Sequence, residues 1–459
     1  MIEILSLLLG FIICFVLYKN KANSGGIFFV LVCIIILNSY ITIINFPLKM
    51  PVSRWCTFAF FFIQLYCFKS RLYRNFYYFP LKIIIIICAI SSLLIGILDP
   101  RLSLFNKIYE PFREITETFF LVFVGFLGIS KRGDLLRFRK PFLWVLTIIT
   151  IYGLYNYIFK TNPYYEFVIQ NYFKGGEADT NTRLNVLNYN EAYRYRATST
   201  FNLSFNYGYV SALFALFFLF CVSTTKKYNK LFICGIILGL IGAVLCASRT
   251  VLLACLVSLL VYLLLNYSLN RLVKLSLMGL VFLFLAYIFI PAVSQSLDNT
   301  LSIFSNDDQV AGSSLSMRES QMLGTLKYFS QNPILGNGYG YINKELGWGD
   351  RDNASLDDDM KGFESIVFQL LIEQGLLGLI TKILLIISLY YFFFKNIKEH
   401  KSLAAFGISL VTYFLIFTVG TGALGAWPIT MIFLGILIKT IKIPRTFKGD
   451  NRHNFQSFI

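Results

Sequence analysis

Four arginines and one glutamate stand where an apolar chain has most reason to avoid charge, and their types define a chemistry. Arg194 and Arg196 lie in "YRYRATSTFNLSFNYG", just before an apolar run, with Tyr195 between them. Arg249 interrupts the apolar stretch from Phe232 to Leu264 in "LCASRTVLLACL", Arg318 stands in "SSLSMRESQMLG", and Glu364 opens "ESIVFQLLIEQGLLGLI". A guanidinium is planar, keeps its proton, and matches phosphate oxygens two at a time. A carboxylate within reach of a hydroxyl can take its proton. Each residue also has a plainer reading. Arg194 and Arg196 can be interfacial anchors that snorkel, and Glu364 can simply sit at a helix start, where the macrodipole favours a carboxylate. Arg249 is the sharpest of the set: an arginine at a bilayer centre costs roughly 2.5–3.5 kcal/mol, so one inside an apolar stretch is expected to face a cavity or a partner.

Elements must hold these groups. Phe232–Leu264 is too long for one helix and long enough for a tight hairpin, with Arg249 at its turn. Ser316 and Glu319 have the spacing of a capping box, so a short helix is expected to start there and carry Arg318. Pro333 and the glycines of "GNGYG" should end it; that stretch lacks the strand and the Lys-Ser/Thr of a phosphate loop and reads as a turn. Phe363, Ile366, Val367, Leu370 and Leu371 share one helical face, with Glu364 in the first turn and Glu373 expected on the opposite side of the helix from it. The run Asp350–Met360 fails as a calcium loop, having no glycine at its sixth position and Lys361 at the twelfth, and reads as a solvated acidic segment. No metal and no cofactor are expected.

The chain is 56% hydrophobic and only 14% charged, with a mean hydropathy of +0.65, which places it outside the soluble globular class and among all-α polytopic membrane proteins. About thirteen transmembrane helices (12–14) are expected, the fifth over Thr116–Ser130, the tenth over Ser276–Val293 and the eleventh over Leu376–Phe394. The first apolar stretch, Ile2–Tyr18, reads as a retained span. Alternate connections carry 23 of the 41 basic residues, which marks that side as cytoplasmic and explains the net charge of +17 without nucleic acid. The N-terminus is then outside, the C-terminal tail inside, and two long external loops span 160–202 and 294–363 of one integral membrane domain, 1–459. The nine cysteines lie in or beside apolar runs and form no C-x-x-C pair, so no disulfide framework or zinc site is implied.

Three segments in this order resemble the O-antigen polymerase/O-antigen ligase superfamily: "RATSTFNLSFNYGYVSALFAL", "SRTVLLACLVSLLVYLL", and "MRESQMLGTLKYFSQNPILGNGYGYI" with "ESIVFQLLIEQGLLGLI". The resemblance is strongest over roughly 190–395. Ligases of the superfamily carry a His-Asn pattern where this chain has Glu364-Ser365, which is similar to the Wzy-type polysaccharide polymerase branch. The resemblance implies a GT-C-class glycosyltransferase of the bacterial cytoplasmic (inner) membrane, with its active site on the outer face. It would move a growing O-antigen, capsule or lipopolysaccharide glycan from undecaprenyl diphosphate to the non-reducing end of a lipid-linked repeat unit. Its partners would be that lipid-linked oligosaccharide, membrane lipid and a chain-length regulator protein. In that scheme Arg249 and Arg318 serve catalysis with Glu364 as base, and Arg194, Tyr195 and Arg196 bind substrate. A ligase and a flippase are the alternatives.

Overall fold

The computed structural model describes residues 2–20, 23–44, 50–172, 195–224, 230–268, 287–288, 315–344, 365–422, 425 and 427–444. They are nearly all helical. In chain order the helices are α1 (Ile2–Lys19), α2 (Ser24–Ile36), α3 (Val52–Cys67), α4 (Lys69–Tyr78), α5 (Lys82–Leu98), α6 (Leu104–Glu117), α7 (Phe120–Leu127), α8 (Asp134–Arg137), α9 (Arg139–Phe159) and α10 (Pro163–Tyr172). They continue with α11 (Ser204–Thr224), α12 (Lys230–Leu245), α13 (Arg249–Asn266), α14 (Leu315–Phe329), α15 (Tyr341–Lys344), α16 (Ile366–Lys395), α17 (Lys401–Thr421) and α18 (Trp427–Lys442). Two short strands, β1 (Thr42–Ile44) and β2 (Met50–Pro51), pair antiparallel.

Five of these helices, α9, α11, α13, α16 and α17, are long and apolar enough to cross a membrane. A sixth span results if α4 and α5, bent by 94° at their junction, count as one. Burial separates two kinds. In α11, 83% of the apolar window is buried inside the protein, and in α17, 67%; in α13 the figure is 28%. The first two are therefore the centre of the bundle, and α13 and its like turn leucine and isoleucine outward, as only a lipid-facing helix can. The protein is an all-α membrane protein.

The segment expected as a fifth span, Thr116–Ser130, is not one helix. Helix α6 ends at Glu117, Thr118 leaves the helical conformation (φ −120°, ψ −79°), and α7 is eight residues long, roughly 12 Å at 1.5 Å per residue. The polar pair Glu117–Thr118 has a use elsewhere, described below. Of the expected tenth span only residues 287–288 lie among those described.

Glycines set the closest helix contact. A Cβ on Gly125 of α7 would collide with the backbone carbonyl of Ile432 in α18, and one on Gly435 with that of Val122. Small residues at such a crossing let two backbones meet inside an apolar solvent that supplies no other driving force. Gly125→Val should therefore destabilise the protein by about 1–3 kcal/mol, since backbone rather than a flexible side chain must yield. Gly133→Ala, where nothing lies within 4 Å of the new carbon, is the control. Thermal unfolding in detergent compares them; equal midpoints for the two variants would show that the α7–α18 contact is slack.

Candidate functional site

The site is built on a broken helix. Helix α16 is interrupted at Gly375, which adopts φ +60°, ψ −159°. A kink of this kind leaves backbone groups without helical partners, and in an apolar surrounding they must be met. The segment Pro333–Gly340 meets them. Asn337 N–H donates to the Ile372 carbonyl (2.7 Å) and Gly338 N–H to that of Glu373 (2.9 Å). In return Leu376 N–H donates to the Pro333 carbonyl (2.9 Å) and Leu377 N–H to that of Ile334 (3.0 Å). Gly336 (φ +72°) and Gly338 (φ +90°) hold left-handed conformations that let the two backbones approach, and a side chain on Gly336 would run into Gln374 and Glu373 backbone at 2.5 Å. The "GNGYG" stretch is thus a turn, as its sequence implies, and its task is to clasp the kink.

The clasp brings polar side chains to a cavity of about 350 Å³. Four carboxylates line it: Glu110, Glu114 and Glu117 from α6, and Glu373 from α16. Three have cationic partners. Glu110 pairs with Arg113 at 3.0 Å, Glu117 with the buried Arg54 of α3, and Glu114 with the buried Lys382, which lies beyond the kink. Gln374 Nε2 donates to Glu114 at 3.0 Å, the Tyr339 hydroxyl donates to the same carboxylate, and Lys382 also donates to Gln374 Oε1 at 3.1 Å. Burial alone would raise the Glu114 carboxyl, but Lys382 and the donors from Tyr339 and Gln374 outweigh it and hold it below the ordinary carboxylate range. Glu373 accepts the backbone N–H of Ile342 at 3.3 Å, so it also holds the start of α15.

Position follows from sequence. Glu110, Arg113, Glu114 and Glu117 recur at i, i+3, i+4 and i+7, which is one helical face. The adjoining face of α6 meets α5, where Pro111 cannot donate to the Lys107 carbonyl and a Cβ on Gly96 would collide with Pro111 and approach that carbonyl at 2.9 Å. Helix α5 in turn packs on α16, which sets Glu114 opposite Lys382. The cluster was absent from the sequence-based candidates, although Lys382 inside the expected eleventh span was a readable sign of a buried polar site.

The arginines converge by a different route. Arg249 is the first residue of α13, after a turn in which Ala247 takes φ +53°, so the expected turn is present, but the two helices do not form a tight hairpin: α12 packs mainly on α11 and α13 on α17. Arg318 lies on α14, and its Nη2 donates to the Gly420 carbonyl at 3.2 Å near the end of α17. A Cβ on Gly420 would collide with Thr250, the neighbour of Arg249. Half-buried Arg196 precedes Ala197, whose N–H donates to the Leu245 carbonyl at 3.1 Å, four residues before Arg249. The three arginines therefore share the end of the bundle where α12 ends, α13 begins and α17 ends. The cavity reaches toward this end, since Phe201, Asn202, Asn206, Gly425 and Trp427 in its wall belong to the adjoining chain segments.

The segment carrying Arg196 is fixed by buried hydrogen bonds. Asn162 Nδ2 donates to Thr198 Oγ1 (2.6 Å) and to the Ser199 carbonyl (2.9 Å), and Ser199 Oγ donates to the Ile149 carbonyl (2.7 Å). Tyr195 is buried, its ring edge-on to Tyr157 with centroids 6.5 Å apart, so its face is turned into the protein. Arg194, Glu364 and the run Asp350–Met360 lie outside the described residues. Ser365, however, is the N-cap of α16, with an extended backbone and its hydroxyl accepting Val367 N–H at 3.3 Å. Helix α16 thus begins at Ile366. Glu373, expected to turn away from the site, instead lines the cavity.

A multi-pass helical membrane protein with an arginine-bearing end and a carboxylate-lined cavity is the class that fold and site define. Residues 234–383 match the model of the family described as O-antigen ligase, a likeness over about a third of the chain that supports the O-antigen polymerase/ligase superfamily. The match runs from α12 into α16 and so takes in Arg249, Arg318, the Pro333–Gly340 clasp and Glu373. No curated protein matches the chain.

Proposed function

We propose that the protein is a polysaccharide polymerase of the cytoplasmic membrane, a GT-C-class glycosyltransferase of about thirteen spans acting on the outer face. It transfers a growing glycan from undecaprenyl diphosphate to the non-reducing end of a lipid-linked repeat unit. The observation that carries this reading is the gathering of Arg196, Arg249 and Arg318 at one end of the bundle, next to chain segments that supply part of the wall of the carboxylate-lined cavity. As the glycosidic bond to the diphosphate breaks, negative charge grows on the leaving oxygen, and fixed guanidinium groups in a low dielectric stabilise it where it develops. Glu364, adjoining the N-cap Ser365, takes the proton from the attacking hydroxyl. A chain-length regulator would bind the same membrane face.

The ligase reading is the second, favoured by the description of the family that matches residues 234–383. A deletion strain separates the possibilities. Glycan arrested at one repeat unit is the expected result. Full-length glycan left on its lipid carrier would mean a ligase, and loss of externally exposed lipid-linked units would mean a flippase.

A further inference from the structure

The charges around the cavity do not cancel, and the residue left over is Glu373. Glu110, Glu114 and Glu117 each have a cation, whereas no lysine or arginine among the described residues lies within ion-pair distance of Glu373. Its bonds to the Ile342 and Gly340 backbone N–H groups leave acceptor capacity on a carboxylate that is only partly covered by protein. Two further wall residues have unmet hydrogen-bonding groups. Trp427 is 5% exposed and Asn206 is 3% exposed, and neither the indole Nε1–H nor the Asn206 Oδ1 has a partner among the described residues. Buried polar groups without partners are rare, and where they line a cavity they mark what an occupant is to satisfy. Apolar and aromatic residues, among them Leu37, Phe201, Leu370 and Ile429, share the rest of the wall with Asn38, Ser39, Asn202 and Gln369. Aromatic and aliphatic faces with a few planar polar groups suit an object that has C–H faces and a rim of hydroxyls.

We propose that this cavity is a saccharide subsite for a ring bearing no negative charge, and that Glu373 enforces that preference. A sugar hydroxyl or ammonium donates to Glu373, while a uronic acid or a phosphate meets a carboxylate that only the more distant Arg113 offsets, in a poorly screened space. The division of labour is then spatial: arginines at the bundle end take the diphosphate, and the cavity takes the sugar. The proposal rests on the glycan-transfer reading in naming a sugar as the occupant.

The chain has four tryptophans, so Trp55→Phe, Trp144→Phe and Trp348→Phe leave Trp427 as the sole indole reporter. Fluorescence of this protein in detergent is titrated with N-acetylglucosamine, glucosamine and glucuronic acid. Fluorotryptophan labelling of the unsubstituted chain, read by ¹⁹F NMR, gives the same readout if the triple variant folds poorly. The first two sugars should shift the Trp427 signal, and glucuronic acid should need at least about tenfold more for the same effect, as expected for one like charge at close range. Glu373→Gln should erase that discrimination while keeping the shape of the wall. Gln369→Glu, which adds a carboxylate to the same wall, should widen it. If no sugar moves the signal, if glucuronic acid binds as well as the others, or if Glu373→Gln leaves the discrimination intact, the subsite is wrong. Arrest at one repeat unit in the deletion strain together with any of those results would sink the subsite alone. Selective sugar binding together with full-length chains on the carrier would sink the polymerase reading alone.

Discussion

Lys382→Met is expected to cost about 3–5 kcal/mol of stability, because it leaves the Glu114 carboxylate buried without its cation. Lys382 lies in the apolar part of α16 beyond the kink and Glu114 in an amphipathic helix, and the pair is held among Gln374, Tyr339 and the wall of the cavity. Methionine fills nearly the same space, so packing changes little and the charge is what is lost. Changing Glu114→Gln as well removes the stranded charge, and the double variant should recover most of the loss, as paired replacements of buried ions do. The pH dependence has a defined sign. In the native protein the Glu114 carboxyl is held below its usual range, so its contribution is present above the unfolded carboxylate value and is lost as pH falls through the lower folded one. With Lys382 gone, burial is the dominant influence left and pushes the carboxyl up. A group raised in the folded state contributes stability at low pH and loses it as pH rises, so Lys382→Met should be less destabilised at pH 5 than at pH 7.5. Thermal midpoints of the three proteins at both pH values provide the test. A double variant no more stable than Lys382→Met would mean that the pair is not coupled as the structure has it.

What could be read from sequence, and what could not, divides along physical lines. Arg249 was legible because the apolar stretch Phe232–Leu264 is too long for one helix, and a turn must fall near its middle; α12 and α13 meet there, at Cys246–Ser248. The helix of Arg318 was legible from Pro333 and the glycines beyond its end, but not its start: α14 already includes Leu315, so Ser316, expected as the N-cap, lies inside the helix. The role of those glycines was not, because nothing local shows that Gly336 and Gly338 will pair with a helix broken at Gly375, some forty residues on. Thr116–Ser130 was misread because hydropathy averages over a break: Glu117 and Thr118 end α6 so that Glu117 can reach Arg54, a partner 63 residues earlier. The cavity itself needed three separate facts that lie far apart in the chain: the acidic face of α6, Lys382 within an apolar run, and the kink that turns Glu373 and Gln374 toward both. Periodicity displays the first and composition the second. Only packing of α5 against both α6 and α16 joins them.

On the proposed polymerase function, Arg249→Lys should lower repeat-unit transfer by about 10²–10³-fold, the loss typical of removing one preorganised stabilising group from a developing anion. Lysine keeps the charge, so a role in simple membrane anchoring or long-range attraction would survive the change. What it loses is the planar fork that binds two oxygens at once. The position is built for accuracy rather than reach. Arg249 opens α13 two residues after a left-handed residue, Ala247, and the segment before Phe201 is bonded to the other side of the same turn through Ala197 and Leu245. Thr250 beside it packs on Gly420, whose carbonyl holds Arg318. A guanidinium fixed in this way pays little reorganisation when charge appears on the diphosphate, whereas an ammonium on a flexible stem must find each oxygen singly. Arg318→Lys should fall in the same range, and the double change should lose less than the product of the two, because both act on one leaving group. Transfer is followed as chain length on lipid-linked repeat units in membranes matched for protein abundance. Normal chains from Arg249→Ala in a stably inserted protein would reduce Arg249 to an anchor and leave the diphosphate without its central ligand.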